Sequence, residues 1–330
     1  MSFAPEAGVT VFEPERAEPG YWVGCPGVLR DEGRHLLTYR RRRPRGAAGT
    51  ERGWRCAIAV SDDGLAFEDV WAVEKGELGT PSMERFSLYR RLDGVYQLYL
   101  SYVDPADGRW RIDVAEAAAP DGFDVAARRP VFTAAATGTE GVKDPRVVRT
   151  ADGRLVMLVS AARAALSDAD RERAHATADI HNTGLSDSVS ALAESADDGM
   201  TWKWRGTVFA PGTGWDRWAA RLNSVVETGG GYLGFYDGEA DHTRNYEEKT
   251  GLAWSKDLLD WTRLTPDGPA VASASGTGSV RYVDAVPQDG GRVRLYYEIA
   301  CPKTRPRRTI GGMRPRHVLL ATLIAAIWGF

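Results

Sequence analysis

One short pattern recurs along the chain and limits what it can fold into. Ser195-Ala-Asp-Asp-Gly-Met-Thr-Trp202 is echoed by Ser61-Asp-Asp-Gly-Leu-Ala-Phe67 and Ser255-Lys-Asp-Leu-Leu-Asp-Trp261, with a worn copy at Ala119-Pro-Asp-Gly-Phe123. Each copy follows an alternating apolar run, at 54–60, 110–115, 189–193 and 251–254. Asp and Gly supply the side-chain bond and the positive φ of a turn between two strands, and the aromatic then packs between sheets. Copies spaced roughly every 60 residues imply a repeated β unit rather than long helices.

Two further strands precede each turn. The first set reads 24–29, 83–89, 143–149, 220–226 and 280–286; the second reads 35–39, 95–101, 154–160, 232–236 and 293–299. A short strand after each turn, and 318–322 as the last unit's third strand, complete the pattern. The fold expected is all-β, a five-bladed β-propeller with about four antiparallel strands per blade, filling 1–330 as one domain with an N-terminal extension over about 1–18. A large β-sandwich is the rival architecture, since regular turn signals also suit it. The 36 Gly, 11 Trp and 12 Tyr fit many short strands joined by tight turns.

Charge and cysteine usage exclude several function classes. A net charge of −3 with 26% charged residues gives no footprint for nucleic acid. Cys25, Cys56 and Cys301 form neither a disulfide framework nor a metal-ligand spacing, so a reduced, cytoplasmic setting and no metal or other cofactor are expected. Residues 1–16 carry no apolar core of a signal peptide, and the apolar stretch 318–330 is too short for a bilayer about 30 Å thick, so no membrane partner is expected. The oligomeric state is not legible.

Propeller geometry then assigns faces. The innermost strands start on the face where blades join, and the loops between second and third strands open there too. Those loops are 40–53, 103–108, 161–187, 237–249 and 300–316, mostly longer than hairpins require. The Asp-Gly turns lie opposite and are read as structural. Aligning the inner strands by their apolar ends places Cys25, Glu84, Asp144, Arg221 and Arg281 at one level, with Gly27, Phe86, Arg146, Asn223 and Val283 two residues further in. Two carboxylates, two guanidiniums and a thiol around one axis can split the proton affinities of Glu84 and Asp144 into an acid and a base. The plainer reading is that they only pair with Arg85, Arg146, Arg221 or Arg281 in a wet channel.

Ser82-Met-Glu-Arg85, Lys143-Asp-Pro-Arg146, the Asp turns and Tyr296-Tyr297-Glu298 resemble the five-bladed glycosidase superfamily of arabinanases and xylosidases, invertase-type fructosidases and mannoside phosphorylases. The resemblance implies a glycoside hydrolase-like activity by carboxylate acid/base catalysis in the central funnel. Asp144 matches the Asp-Pro position that tunes and orients in arabinanase-like members. Cys25 stands where their catalytic base is expected, and Arg221 and Asn223 stand where their acid is expected. Phosphorolysis with Arg-bound phosphate stays open as an alternative, as does a non-hydrolytic carbohydrate-binding or tailoring propeller that has lost the first-blade Asp.

Several loop residues complete the candidate set. Arg40 to Arg45 packs five Arg into six positions, and Lys303, Arg305, Arg307, Arg308, Arg314 and Arg316 repeat the theme in the last unit. Two basic loops over one funnel point to an anionic small-molecule ligand. Asp237, Asn245 and Glu248 fall in one loop with Asp241, His242 and Glu247, and are read as sugar hydrogen-bonding groups in preference to a cation site. His181 is a candidate sugar ligand or proton shuttle. Glu84 and Asp144 are thus the expected catalytic pair, and Cys25, Arg85, Arg146, His181, Arg221, Asn223, Asp237, Asn245, Glu248, Arg281 and Glu298 the expected substrate-binding set.

Overall fold

A computed structural model describes residues 4–44, 52–163, 166–244, 246–289, 291–300 and 316–323, the last as backbone. The described chain is built from short antiparallel strands. The N-terminal strand is β1 (Val9–Phe12). A first sheet runs β2 (Trp22–Asp31), β3 (Arg34–Arg43), β4 (Arg52–Ser61) and β5 (Glu68–Glu74) in sequence order. The next holds β6 (Ser87–Arg90), β7 (Tyr96–Val103), β8 (Trp110–Ala117) and β9 (Arg129–Phe132).

Then come β10 (Gly141–Arg149), β11 (Leu155–Ala162), β12 (Ser188–Ser195) and β13 (Lys203–Phe209). After them follow β14 (Ala219–Thr228), β15 (Gly231–Glu239), β16 (Lys249–Ser255) and β17 (Trp261–Arg263). These two antiparallel runs are joined into one eight-stranded sheet by a single parallel pairing, Ser188 with Ala219. The last sheet orders β18 (Val280–Pro287), β19 (Val293–Ala300), β20 (Arg316–Leu323) and β1.

The extension expected over 1–18 therefore contributes a strand: Val9 pairs with Leu320 and closes the last sheet's open edge. This protects backbone groups that an edge would leave unpaired. The segment expected as a long loop over 161–187 holds the helix α1 (Asp168–His175), capped by Ser167, whose hydroxyl accepts from Asp170 N. Its buried Ala174 packs with Ile180, Val103 and Trp110, which fixes that loop over the strand ends.

Hydrophobic clusters lie between consecutive sheets. Leu36 and Ile58 pack against Leu88 and Leu98, Tyr99 and Val114 against Val147 and Met157, and Leu158 and Leu192 against Leu222 and Tyr236. Phe235 and Leu252 meet Val283 and Leu295, and Val286 and Tyr296 meet Val28 and Leu37, so the sheets close on themselves. The Asp turns wedge this ring. Gly64 and Gly199, at φ 72° and 88°, donate to Ser61 and Ser195 hydroxyls, and Leu258 holds the same left-handed position at 73°. Phe67 and Trp202 then lean on Tyr296 and Tyr99 of the neighbouring sheet, and Trp261 on Phe209 of the preceding antiparallel run.

Candidate active site

The first strand of each unit breaks its ladder near its start. Register slips between Gly24 and Gly27, Lys143 and Arg146, Leu222 and Ser224, and Arg281 and Asp284. Cys25, Asp144 and Tyr282 sit in these bulges with φ of 56°, 56° and 53°, a region costly for side-chain-bearing residues and common at functional sites. Asn223 occupies the bulge of β14, and Glu84 and Arg85 lie just before β6, where Glu84 N still donates to Ser101 O at 3.0 Å. Pairing thus sets Asn223 and Tyr282 level with Cys25 and Asp144. Arg281 falls one residue earlier, beside Gly24, Lys143 and Leu222, and Arg221 one earlier still, a shift from the sequence alignment that arises because a bulge adds a residue the apolar pattern does not show.

Glu84 is the most heavily compensated acid. It is paired with Arg40, and Cys25 Sγ lies 3.7 Å from its Oε2. Burial alone would push its carboxyl up, but Arg40, Lys143, Arg42 and Arg281 outweigh that and hold it ionised, far below the usual carboxylate range. The Cys25 thiol moves the opposite way. Burial raises it well above its ordinary value, and Glu84, Glu298 and Asp144 reinforce this against Arg40, so it is a protonated thiol filling the axis. Asp144 accepts from Arg85 N at 3.2 Å and Tyr282 Oη at 3.3 Å, with Lys143 Nζ at 3.4 Å.

Across the axis, Glu248 is gripped by Arg221 and by Arg281 Nη1 at 2.9 Å, while Arg281 Nε reaches Glu298 Oε1 at 2.8 Å. Gly24 is required there, since a Cβ would collide with the Glu298 carboxylate. Asp237 accepts from Tyr282 N at 3.0 Å; burial, supported by Glu248 and opposed by Arg221, pushes it up to about 7. Glu239, at the end of β15, is pushed up to about 9 by burial and by Glu248, against Arg221 and Arg281. Its Oε1 is buried without a hydrogen-bond partner. Sequence reading missed Glu239; its only signal is a second acid two residues after Asp237, closing the second strand on the loop face. His181 is held neutral by burial and by the nearby Lys143 and Arg221, with Nδ1 3.1 Å from Ser188 Oγ and Nε2 unpartnered.

Other expected residues do different work. Arg85 donates to Asn223 O at 2.7 Å and pairs with Asp284 at 3.2 Å; Arg146 reaches the same carboxylate at 2.7 Å and Val28 O at 3.1 Å. Val28 N closes the clasp on Asp284 Oδ2 at 2.6 Å. These guanidiniums tie inner strands together deeper along the axis rather than facing the ring above. Asn223 keeps a buried Nδ2 without a partner. Asn245, Arg45, Cys301, Lys303, Arg305, Arg307, Arg308 and Arg314, and the side chain of Arg316, lie outside the described residues. Cys25 and Cys56 are free thiols.

A cavity of about 360 Å³ opens on the loop face, lined by Arg52, Arg173, Thr177, Asp179, Asn182 and Leu185. The larger one described, about 720 Å³, lies on the opposite face around Arg149, Arg154, Arg205 and the Ser195–Thr201 turn. Its cations are already matched by Asp198, Asp152 and Glu194, so size and chemistry point to different faces, and chemistry selects the funnel. Among the described residues, no three His, Cys, Asp or Glu are grouped to hold a metal, and no helix is long and apolar enough to cross a membrane.

No family model and no curated protein matches the chain. Solved structures do. A thermostable family-43 glycoside hydrolase superposes with a TM-score of 0.63 at 15% identity over 96% of this chain and 94% of its own. The GH43_1 enzyme from Xanthomonas citri complexed with xylose gives 0.62 at 14% over 97% and 91%. A structure from the GH130 family of mannoside phosphorylases, described as containing glycoside hydrolases that target β-1,2 mannosidic linkages in Candida mannan, gives 0.60 at 16% over 97% and 96%. At such identities the likeness carries the architecture: this all-β chain has the fold of the propeller glycoside hydrolase-like superfamily to which these hydrolases and phosphorylases belong.

Proposed function

We propose that the chain is a single propeller of five four-stranded blades whose loop-face funnel cleaves a glycosidic bond. Glycosidases need one carboxyl kept protonated to donate to the leaving oxygen and one kept ionised to meet positive charge at the sugar carbon. The observation that carries the reading is a pair of buried carboxyls around the shared Arg281 that are pushed in opposite directions: Glu239, its Oε1 unpartnered, upward by burial and Glu248, and Glu84 downward by Arg40, Lys143 and Arg42. Glu84 is too weak a base to pull a proton well, so it acts as the charged partner of the reacting centre. Asp144 positions the ring, held as it is by Arg85 N, Tyr282 Oη and Lys143. Neutral His181, Asn223 and Glu298 surround the sugar hydroxyls.

Phosphorolysis is the second reading, favoured by one observation. Cys25, protonated and buried, cannot serve as a base to activate water, and phosphate would need none. The test is turnover of a panel of nitrophenyl glycosides with and without inorganic phosphate, in wild type and Glu239→Gln. Gln keeps the shape of the neutral carboxyl, so turnover should fall by about 10²–10⁴-fold with Tm at pH 7 no lower than in the wild type. Equal turnover in the variant removes Glu239 from the chemistry, and calorimetric sugar binding without any cleavage would leave a binding protein.

A further inference from the structure

The arginine run splits by strand alternation. Arg41 and Arg43 face outward and are engaged: Arg41 donates to Glu13 O at 3.1 Å, and Arg43 pairs with Glu15 at 2.6 Å and covers the Trp54 ring at 3.5 Å. Arg40 and Arg42 face inward and are 1% and 4% exposed. Arg40 gives Nη1 to Glu84, but its Nε and Nη2 are buried with no hydrogen-bond partner. Arg42 has no carboxylate partner among the described residues, and its Nε is likewise unpartnered.

What holds Arg42 is aromatic. Its guanidinium carbon lies 3.9 Å from the Trp22 ring centre and 5.0 Å from that of Tyr246. Arg40 and Arg52 repel it, and the acids around it are already taken: Glu84, which attracts it, is paired with Arg40, and Asp179 with Arg52 and Asn182. A buried cation with no ion pair of its own is costly to keep out of water. A ring clamp fixes the guanidinium plane and leaves its edge to meet a planar, two-oxygen acceptor. The 360 Å³ cavity provides the approach, because its Asp179 and Asn182 both contact the Tyr246 hydroxyl.

We propose that Arg42, together with the unpartnered edge of Arg40, binds the carboxylate of a sugar acid, so that the funnel takes a uronic-acid-type glycoside. The charge matches one guanidinium: Arg40 already faces Glu84, so a phosphate dianion would be under-compensated. The inference rests on the funnel being a sugar site, but not on any catalytic role.

Calorimetry on the full chain at pH 7 tests it, with D-glucuronate, D-galacturonate and D-mannuronate against D-glucose, D-galactose and D-mannose, and with inorganic phosphate. At least one uronate should bind about tenfold or more tightly than its neutral hexose, the scale of one charge-assisted pair. Arg42→Met should erase that preference and leave Tm close to that of the wild type, since Glu84 keeps its direct ion pair with Arg40; Arg42→Lys should restore only part of it. Equal affinity for acids and hexoses, a preference that survives in Arg42→Met, or a large fall in its Tm each overturns the proposal. Arg42-dependent binding of phosphate but of no uronate overturns it as well. Glycoside turnover is not read, so this result and the Glu239→Gln result can fail separately.

Discussion

The two faces of the ring are both rich in charge, yet they settle it differently. On the turn face, Asp63 accepts from backbone N–H groups of its own turn and Asp197 from the Thr201 hydroxyl and N–H, and these bonds hold both carboxyls at about 2 in open solvent. Cations there stand beside acids a few residues or one strand away. On the funnel face, acids and guanidiniums drawn from distant strands are buried together, and several polar atoms are left over, on Arg40, Arg42, His181, Asn223 and Glu239. Unpartnered buried atoms also occur on the turn face, on Arg30, His35, Arg90, Arg91 and Arg294, so what sets the funnel apart is that its leftovers stand within a buried shell of acids and guanidiniums drawn from distant strands.

The hardest test of that contrast removes Asp284, the acid beneath the funnel that serves the fold. Asp284→Ala strands both Arg85 and Arg146 and should cost about 3–5 kcal/mol in urea unfolding. Little loss would mean that the clasp is decorative. Glu84→Gln comes next: it should abolish turnover and also destabilise, by leaving Arg40 buried and unpaired. Glu84→Gln with Arg40→Met should recover stability but not activity, a separation that a purely structural Glu84 would not show.

A pH profile sharpens the funnel side. Glu239 keeps its proton in the folded protein up to about 9, against an ordinary value of 4.5, so the stability it contributes is whole below about 4.5, declines between, and is gone above about 9. Turnover should fall as pH rises through the same upper limit, and Glu239→Gln should flatten that part of the stability curve. The smallest effect belongs to the turn face. Asp197→Ala should lower Tm by no more than about 4 °C and leave turnover untouched; an activity loss there would blur the distinction between the faces.

Much of this was legible before any coordinates. The Asp turns and the alternation of the first and second strands follow from period-2 patterning and turn chemistry, which are local. So was the presence of Glu84 and Asp144 at the starts of inner strands. The bulges were not, because one inserted residue leaves the apolar pattern readable while shifting what stands level with what; Tyr282 and Asn223 were displaced by Arg281 and Arg221 in the alignment for that reason. Nor could local sequence show that residues 9–12 complete the last sheet from more than 300 residues away.

By itself the sequence determined the type and spacing of the strands, the turns between them and the inward or outward sense of each side chain on a regular strand, since all of these depend on neighbours along the chain. Only the tertiary structure decided which charges meet: that Asp284 consumes Arg85 and Arg146, that Glu248 consumes Arg221 and Arg281, and that Arg42 is left between two rings with no ion pair of its own among the described residues. Electrostatic pairing and desolvation depend on distance through space, and closing the ring brings together groups from all along the chain that no spacing in the sequence relates.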